Sequence, residues 1–361
     1  MVRKLGLKVC VGMSGGVDSS VAAVLLKKGG YEVVGVFIKI WIPELSNCDW
    51  RAERRDAMRA AAKIGIPLIT LDLSAEYKKL VIDYLLREYR LGRTPNPDVM
   101  CNKEIKFGLF YREVMKRGAD FIATGHYARK QLLGTSCQLL ASKDKNKDQT
   151  YFLWTLTPEI LSKTLFPIGD YKKSEVRKLA AKFGLPNAAK PDSQGLCFLG
   201  PVDFKDFLAQ HLPEKVGQVL DGSGKVIGEH KGAHFYTIGE RHGFTLSKQT
   251  PDEAPHYIVS KDMKNNTITI AVRIVNSKID NSRGREIILK EVNWIGRAPK
   301  SSDKLMARCR YRAPLVPCHV KVEGDRVKII FDQPQTTIAS GQSCVLYDAR
   351  GVACLGGGVI E

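Results

Sequence analysis

Two hydrophobic rhythms divide the chain. Over residues 1–201, short apolar runs alternate with stretches whose apolar residues recur every three or four positions. Val9 to Met13 is apolar and β-branched, which predicts a buried strand, and the spacing of Val21, Val24 and Leu25 predicts a helix from Ser19 that Gly29 and Gly30 stop. YEVVGVFIKIW predicts a second strand, Arg51 to Ile64 a helix stopped by Gly65, Pro67 to Leu71 a third strand, and Ala75 to Tyr89 another helix. FIATGHYAR, from Phe121 to Arg129, predicts a further strand with Gly125 and His126 at its carboxyl end. Strands alternating with helices make a parallel sheet flanked by helices, and ligands of such sheets gather at the carboxyl ends of the strands.

From Val202 the rhythm breaks. VDFKDFLAQHL predicts one short helix, followed by glycine-punctuated pieces such as VLDGSGKVIGEHKGAHFYTIGERHGF. Past Ile274 the period is mostly two: LMARCRYRA, CHVKVEGDRVKIIF and QSCVLYDARGVACLGGG alternate and turn at Gly or Asp, which predicts a small β-barrel or sandwich. The expected division is an α/β, parallel-sheet nucleotide-binding domain over residues 1–201, a small mixed central domain over 202–273 and a C-terminal β-barrel over 274–361.

The turn after the first strand, MSGGVDSS, carries the first chemistry. Gly15 and Gly16 open backbone conformations closed to other residues and let N–H groups approach a ligand. The free N–H groups and positive dipole end of the following helix complete an anion site, and a phosphate suits it. The lysine-bearing phosphate loop is excluded, because counting from Gly12 puts Val17 at its second glycine and Asp18 at its lysine. A Gly/Ser turn that only joins strand to helix is the plain alternative.

Charge points to a polyanionic partner. Lys and Arg number 56 against 38 Asp and Glu, a formal charge of +18, and basic residues recur along the whole chain rather than in a tail. A solvated basic surface is the other reading. There is no run of about eighteen apolar residues and no signal-peptide region, so a cytosolic protein without membrane contact is expected. Nine cysteines without C-x-x-C spacing argue for thiols rather than a disulfide framework or a zinc site, and no metal-ligand set stands out.

Two cysteines separate from the rest. In Arg93-Thr94-Pro95-Asn96-Pro97-Asp98-Val99-Met100-Cys101-Asn102-Lys103, two prolines hold the segment extended ahead of a helix expected to begin near Asn102. That helix start, with Lys103 and Lys106, would lower the Cys101 thiol pKa, and Asp98 could act as acid or base on what the thiol attacks. In the alternative, Asp98 caps the helix and Cys101 is an inert small hydrophobe. Lys190-Pro191-Asp192-Ser193-Gln194-Gly195-Leu196-Cys197 is a polar turn that would present Cys197 at the end of a mobile loop, as a carrier thiol requires. Cys10, Cys309, Cys344 and Cys354 lie in strand-like runs and read as core, Cys137 and Cys318 carry no distinguishing feature, and Cys48 lies in a polar stretch.

SGGVDSS resembles the loop of the ATP pyrophosphatases, which cleave ATP between its α and β phosphates and pass AMP to an oxygen. Together with GRTPNPDVMCNKEIKFG, ATGHYAR, KDQTYFLW, DSQGLCFLG, RYRAPLVPC and the closing GQSCVLYDARGVACLGGGVIE, it resembles the tRNA-specific 2-thiouridylases from Val9 to Glu361. That resemblance implies exchange of the 2-oxygen of the wobble uridine for sulfur, with ATP and Mg²⁺ as cofactors. Gly12, Met13, Ser14, Gly15, Gly16, Val17, Asp18 and Ser19 would hold ATP, with Asp18 beside Mg²⁺, and Ile38 and Gly125 would line the adenine side. Cys197 would carry a persulfide and Cys101 would be its partner thiol, releasing sulfide or closing a disulfide, with Asp98 moving protons. Asn96, Pro97, Asp98, Lys147, Asp148 and Gln149 would face the target base and tRNA, while Arg310, Tyr311 and Gln342 would hold the anticodon arm. His126 is either a contact to tRNA or nucleotide, or a histidine satisfied at a strand end. A sulfur donor protein, a cysteine desulfurase or a relay carrier, is implied as a second partner. The chain departs from the family pattern at Glu240, at Pro191, Gln194 and Leu196 around the second thiol, and at Ile38. Two rivals stay open: the same ATP chemistry on another acceptor, and a basic RNA-binding protein with an idle nucleotide fold.

Overall fold

The computed structural model describes residues 6–43, 49–134, 136–192, 204–247, 254–272, 284–324, 326–335 and 338–361. Cys48 and the Ser193–Gly200 stretch with Cys197 lie outside them. The strands up to Asp192 are β1 (Lys8–Gly12), β2 (Glu32–Lys39), β3 (Leu68–Asp72), β4 (Phe121–Ala123), β5 (Ala128–Leu133), β6 (Ser136–Ala141) and β7 (Thr164–Leu165). Five of them form a parallel sheet in the order β3-β2-β1-β4-β7. Because the chain runs from β1 outward to both sides, the carboxyl end of β1 is the switch point where such sheets take their ligands.

Helix α1 (Val17–Lys28) follows that point, two residues earlier than the periodicity indicates. It is buried almost all round rather than along one stripe: Val17, Ser19, Ser20, Val21, Ala22, Ala23, Val24 and Leu26 are inside and Leu25 is half-buried. Helix Lys173–Lys182 packs on it through Val176 and Ala180, which share a core cluster with Val17, Val21 and Val24. Each fully buried valine contributes about 1.5–3 kcal/mol, so packing rather than helix propensity fixes where α1 begins. Helix α2 (Trp50–Ile64) starts at Asp49, whose carboxylate accepts from the Arg51 N–H, and ends at left-handed Gly65.

FIATGHYAR does not form one strand. β4 stops at Ala123, and β5 pairs with β6 as a hairpin whose β6 edge joins the last strand of the chain, Ala353–Ile360. At the break Gly125 passes against the first turn of α1, where a Cβ would stand 2.6 Å from the Ser19 nitrogen, so glycine is required there.

The central sheet comprises β8 (Gly217–Leu220), β9 (Val226–His230), β10 (Thr245–Leu246), β11 (Tyr257–Asp262) and β12 (Thr267–Ala271), in the order β10-β9-β8-β12-β11. Helix Phe204–His211 precedes it. The last strands are β13 (Glu286–Trp294), β14 (Leu305–Arg308), β15 (Val316–Glu323), β16 (Arg326–Phe331), β17 (Ser343–Asp348) and β18 (Ala353–Ile360). They run β13-β16-β15-β14-β17-β18, and β18 pairs back to β13, which closes a six-stranded barrel around Leu289, Val320, Ile329 and Leu346.

Candidate functional site

Residues Ser14 to Gly16 cross from β1 to α1 at the switch point. Gly15 has φ +79, and a Cβ on it would fall 2.4 Å from the Glu53 carbonyl oxygen of α2, so only glycine fits. The serines then hold the turn by short-range bonds. The Ser14 and Gly16 N–H groups donate to Ser19 Oγ (3.3 Å) and Ser14 Oγ (3.4 Å), and the Ser19 and Ser20 hydroxyls donate to the Gly16 carbonyl (3.2 and 2.9 Å). Buried Asn187 closes it from the far end of the domain, its Nδ2 donating to Gly15 O, Gly16 O and Ser20 Oγ at 2.9, 3.2 and 3.0 Å. Met13 is buried and its N–H donates to Val36 O, while Gly12 lies against Phe110.

An ion-pair lattice surrounds Asp18. Its carboxylate accepts from Tyr127 OH at 2.9 Å and from Lys173 Nζ at 2.7 and 2.8 Å. Burial, and then the Asp18 charge, push the Tyr127 phenol far above its ordinary range, so it stays a donor. Lys173 also reaches Asp192 at 2.8 Å, where Lys147 (2.8 Å) and Arg177 (2.6 Å) converge. Burial opposes ionisation of Asp192, but the hydrogen bonds from Lys147 and Lys173 outweigh it and hold the carboxyl well below the usual range. Lys190 bridges to Glu53 and Asp56 of α2, each at 2.8 Å.

The first thiol stands on a second element. Pro97–Met100 is already helical and continues as a π-helical stretch over Cys101–Phe110. The helix thus begins five residues earlier than expected, because proline at the first helical position gives up only an N–H that has no helical partner there. Asn96, not Asp98, caps it, its Oδ1 accepting from the Val99 N–H at 3.2 Å. Asp98 sits in the first turn, its pKa raised by burial against an opposing pull from Lys106. Cys101 is buried in a cluster with Leu73, Tyr77 and Ile105, against which Ile38 at the end of β2 also packs. Ile38, expected at the adenine side, and Cys101 thereby meet in one apolar cluster. π-Helical turns concentrate at functional sites.

The other domains fix this turn. Gln342 Nε2 donates to the Thr94 carbonyl at 2.7 Å, the Thr94 N–H donates to Ser340 O at 2.8 Å, and the Thr94 and Thr237 hydroxyls meet at 3.0 Å. Arg310 donates to Ile238 O of the central domain. Tyr311 packs on Phe152 at 4.4 Å between centroids. Asp148 is buried, accepting from the Ser142 N–H and Thr150 Oγ1, with Arg308 at 3.6 Å. Gln149 accepts from the Tyr127 N–H. His126 is buried beside Phe107 and Phe166, with Nδ1 2.8 Å from Thr124 Oγ1, and burial together with Lys106 holds its pKa well below 6.5.

Asn187, Lys173 and Arg177 carry no motif that marks them in advance, and only the lysine density of YKKSEVRK hints at the last two; Tyr127 lies within ATGHYAR, where no role is expected of it. Among the described residues there is no group of three or more His, Cys, Asp or Glu able to cage a metal, and no helix is long and apolar enough to cross a membrane. Of the cysteines read as filler, Cys137 and Cys318 are buried, and of those read as core Cys309 is only half-buried.

A glycine-serine turn at the switch point of a parallel sheet, followed by a mixed sheet and a barrel, defines a three-part α/β protein. The family described as tRNA methyl transferase HUP domain matches residues 7–201, its PRC-barrel domain 205–272, and the aminomethyltransferase beta-barrel domain 284–360. The chain is 43% identical to the tRNA-specific 2-thiouridylase MnmA of Mannheimia succiniciproducens over 98% of its own length and 91% of the relative, and 43% identical to that of Proteus mirabilis over 98% and 97%. It is loosely similar, at TM-score 0.37 and 21% identity over 59% of this chain and 68% of the other, to the U34-tRNA thiolase NcsA of Methanococcus maripaludis. The chain belongs to the tRNA-specific 2-thiouridylase family, and like its members it is a sulfurtransferase.

Proposed function

We propose that the protein uses ATP to replace the 2-oxygen of a tRNA wobble uridine with sulfur. The observation that carries this reading is the shared setting of the phosphate turn at β1 and the Cys101 helix, which meet at Gly12 with Phe110 and at Ile38 with the Cys101 cluster. A pyrimidine carbonyl oxygen leaves poorly, so O2 attacks the α phosphorus and pyrophosphate departs, leaving an adenylated base. A persulfide on Cys197 then attacks C2 through its terminal sulfur and AMP leaves. Cys101 as thiolate attacks the Cys197 sulfur, which frees the thiocarbonyl and leaves a Cys101–Cys197 disulfide for an external thiol to reduce. Asp98, whose pKa burial raises against the pull of Lys106, is suited to hand protons at this point. Flipping the base out of a single-stranded loop costs only a few kcal/mol.

ATP arrives with Mg²⁺, which binds through one or two carboxylates plus substrate phosphates rather than an all-protein cage. One carboxylate at the phosphate turn, Asp18, fits that demand and would hold the ion, which neutralises phosphate charge when bound. The tRNA phosphates answer the +18 charge, and a sulfur donor protein reloads Cys197 in a soluble compartment.

Mass spectrometry of tRNA incubated with the enzyme, ATP, Mg²⁺ and a sulfide source tests the reading. We expect one uridine to gain 16 Da, the mass difference between sulfur and oxygen, with AMP formed only when tRNA is present, and Cys197→Ser to stop thiolation while AMP still forms. AMP release at equal rates without tRNA, or a normal thiouridine yield from Cys197→Ser, would overturn it.

A further inference from the structure

The lattice around Asp18 contains a carboxylate held by more cations than a surface ion pair needs. Lys147, Lys173 and Arg177 all contact Asp192 within 2.8 Å, and Lys173 at the same time touches Asp18, the second residue of α1. Lys173 is the most enclosed of the three, its side chain 15% exposed. The phosphate turn supplies N–H and hydroxyl donors but, between Gly12 and Ser20, no cation. Lysine serves phosphate as a point charge and arginine as a fork, so the three side chains match a pyrophosphate end in charge and donor type.

We propose that Lys147, Lys173 and Arg177 form the subsite for the β and γ phosphates of ATP and for the pyrophosphate that leaves, and that Asp192 is a built-in anion occupying this subsite until phosphate displaces it. The proposal rests on the ATP reading above and extends it to residues outside the phosphate turn. A surface ion pair alone does not explain the arrangement, since such pairs are worth about 0–1 kcal/mol each and three cations against Asp18 and Asp192 leave one positive charge in excess. An internal carboxylate keeps three long side chains ordered without a ligand, and its displacement lowers apparent phosphate affinity by the fraction of time it occupies the site. A weakened hold on pyrophosphate favours release of that product.

Calorimetric titration of the full chain with inorganic pyrophosphate in magnesium buffer tests this by sign. Asp192→Asn should bind pyrophosphate at least tenfold more tightly than the parent, and Lys173→Met at least tenfold more weakly. Asp192→Ser serves as a second neutral replacement, and matched thermal unfolding confirms that the variants compared are folded. Unchanged or weaker pyrophosphate binding in both neutral variants means that Asp192 only organises the cations, and overturns the proposal; unchanged binding in Lys173→Met does so too. AMP formation by the parent enzyme with ATP and tRNA is measured alongside. If AMP forms while the variants fail these expectations, the subsite alone is wrong; if the parent makes no AMP, the ATP reading falls with it.

Discussion

The turn at Ser14 to Ser20 and the turn at Thr94 to Cys101, which the proposed reaction uses together, are built in opposite ways. In the first, the bonds that Ser14, Ser19 and Ser20 make with one another and with Gly16 join residues two to five positions apart, and the glycine that makes the turn possible is dictated by its own φ. In the second, the backbone of Thr94 is held by Ser340 and Gln342 of the barrel and its hydroxyl by Thr237 of the central domain. The phosphate turn is therefore a local object carried by any chain with that sequence between strand and helix. The turn leading to Cys101 is a joint of three domains, so its position reports where the other two sit.

The largest effect should come from breaking the local turn. Gly15→Val places a branched side chain at φ +79 with its Cβ 2.4 Å from the Glu53 carbonyl oxygen. Strain and overpacking together should cost about 3 kcal/mol or more and abolish ATP binding, as read by chemical denaturation and calorimetry. Gly16→Ala sharpens the contrast, since Gly16 has an ordinary φ of −82 and a Cβ would meet only Ser14 Oγ at 3.3 Å. It should cost under about 1 kcal/mol.

Next comes the long-range tie to the backbone of the phosphate turn. Asn187→Leu leaves Gly15 O, Gly16 O and Ser20 Oγ without their buried donor. The expected loss is about 2–3 kcal/mol of stability, with weaker ATP binding and little change in tRNA affinity. Equal weakening of tRNA and ATP binding would show that the two turns are not separable.

What could be read in advance follows the same divide. The strand, glycine turn and helix at Lys8 to Lys28 were legible because backbone sterics within a few residues decide them. Asn187 was not, being 172 positions from the carbonyl it holds. The start at Pro97 was misread because a proline that favours extended chain before it is equally at home in a first helical turn. FIATGHYAR reads as one strand by propensity, yet it breaks where Gly125 passes against α1, and β5 and β6 go to the barrel, a tertiary fact with no local mark. The barrel was legible as alternation, but not that its turn at Ser340–Gln342 would grip the thiol helix.

A pH experiment separates the buried side of the joint. His126 has its pKa well below 6.5 in the fold because of burial and Lys106, so the folded protein keeps it neutral while the unfolded chain takes up a proton below about pH 6.5. The unfolded state then binds more protons, stability rises with pH through that region, and it falls on acidification by up to about 1.4 kcal/mol per pH unit from this group. Asp98, which also feels Lys106, has a pKa raised by burial and so adds no loss in this window as pH falls. His126→Gln should flatten the stability profile between pH 5 and 6.5, measured by denaturant midpoints; an unchanged slope would mean that the imidazole is hydrated in the folded state.

The smallest effect tests the joint itself. Gln342 is expected to hold the anticodon arm, and in the fold its Nε2 donates to the Thr94 carbonyl at 2.7 Å, two residues before the Asn96 cap of the Cys101 helix. The two roles separate kinetically. A residue that positions the helix contributes only when the sulfur chemistry occurs, so Gln342→Ala should lower kcat for thiolation with the KM for tRNA unchanged. Loss of one half-buried neutral hydrogen bond is worth about 1 kcal/mol, or roughly fivefold in rate. A residue whose main use is holding the anticodon arm should raise the KM for tRNA and leave kcat alone. ATP binding should be unaffected in either case, because the phosphate turn draws none of its hydrogen bonds from the barrel among the described residues. A fall in kcat that Gln342→Glu does not relieve, since a carboxylate cannot donate to Thr94 O, would place the joint among the devices that let the barrel set the position of the thiol.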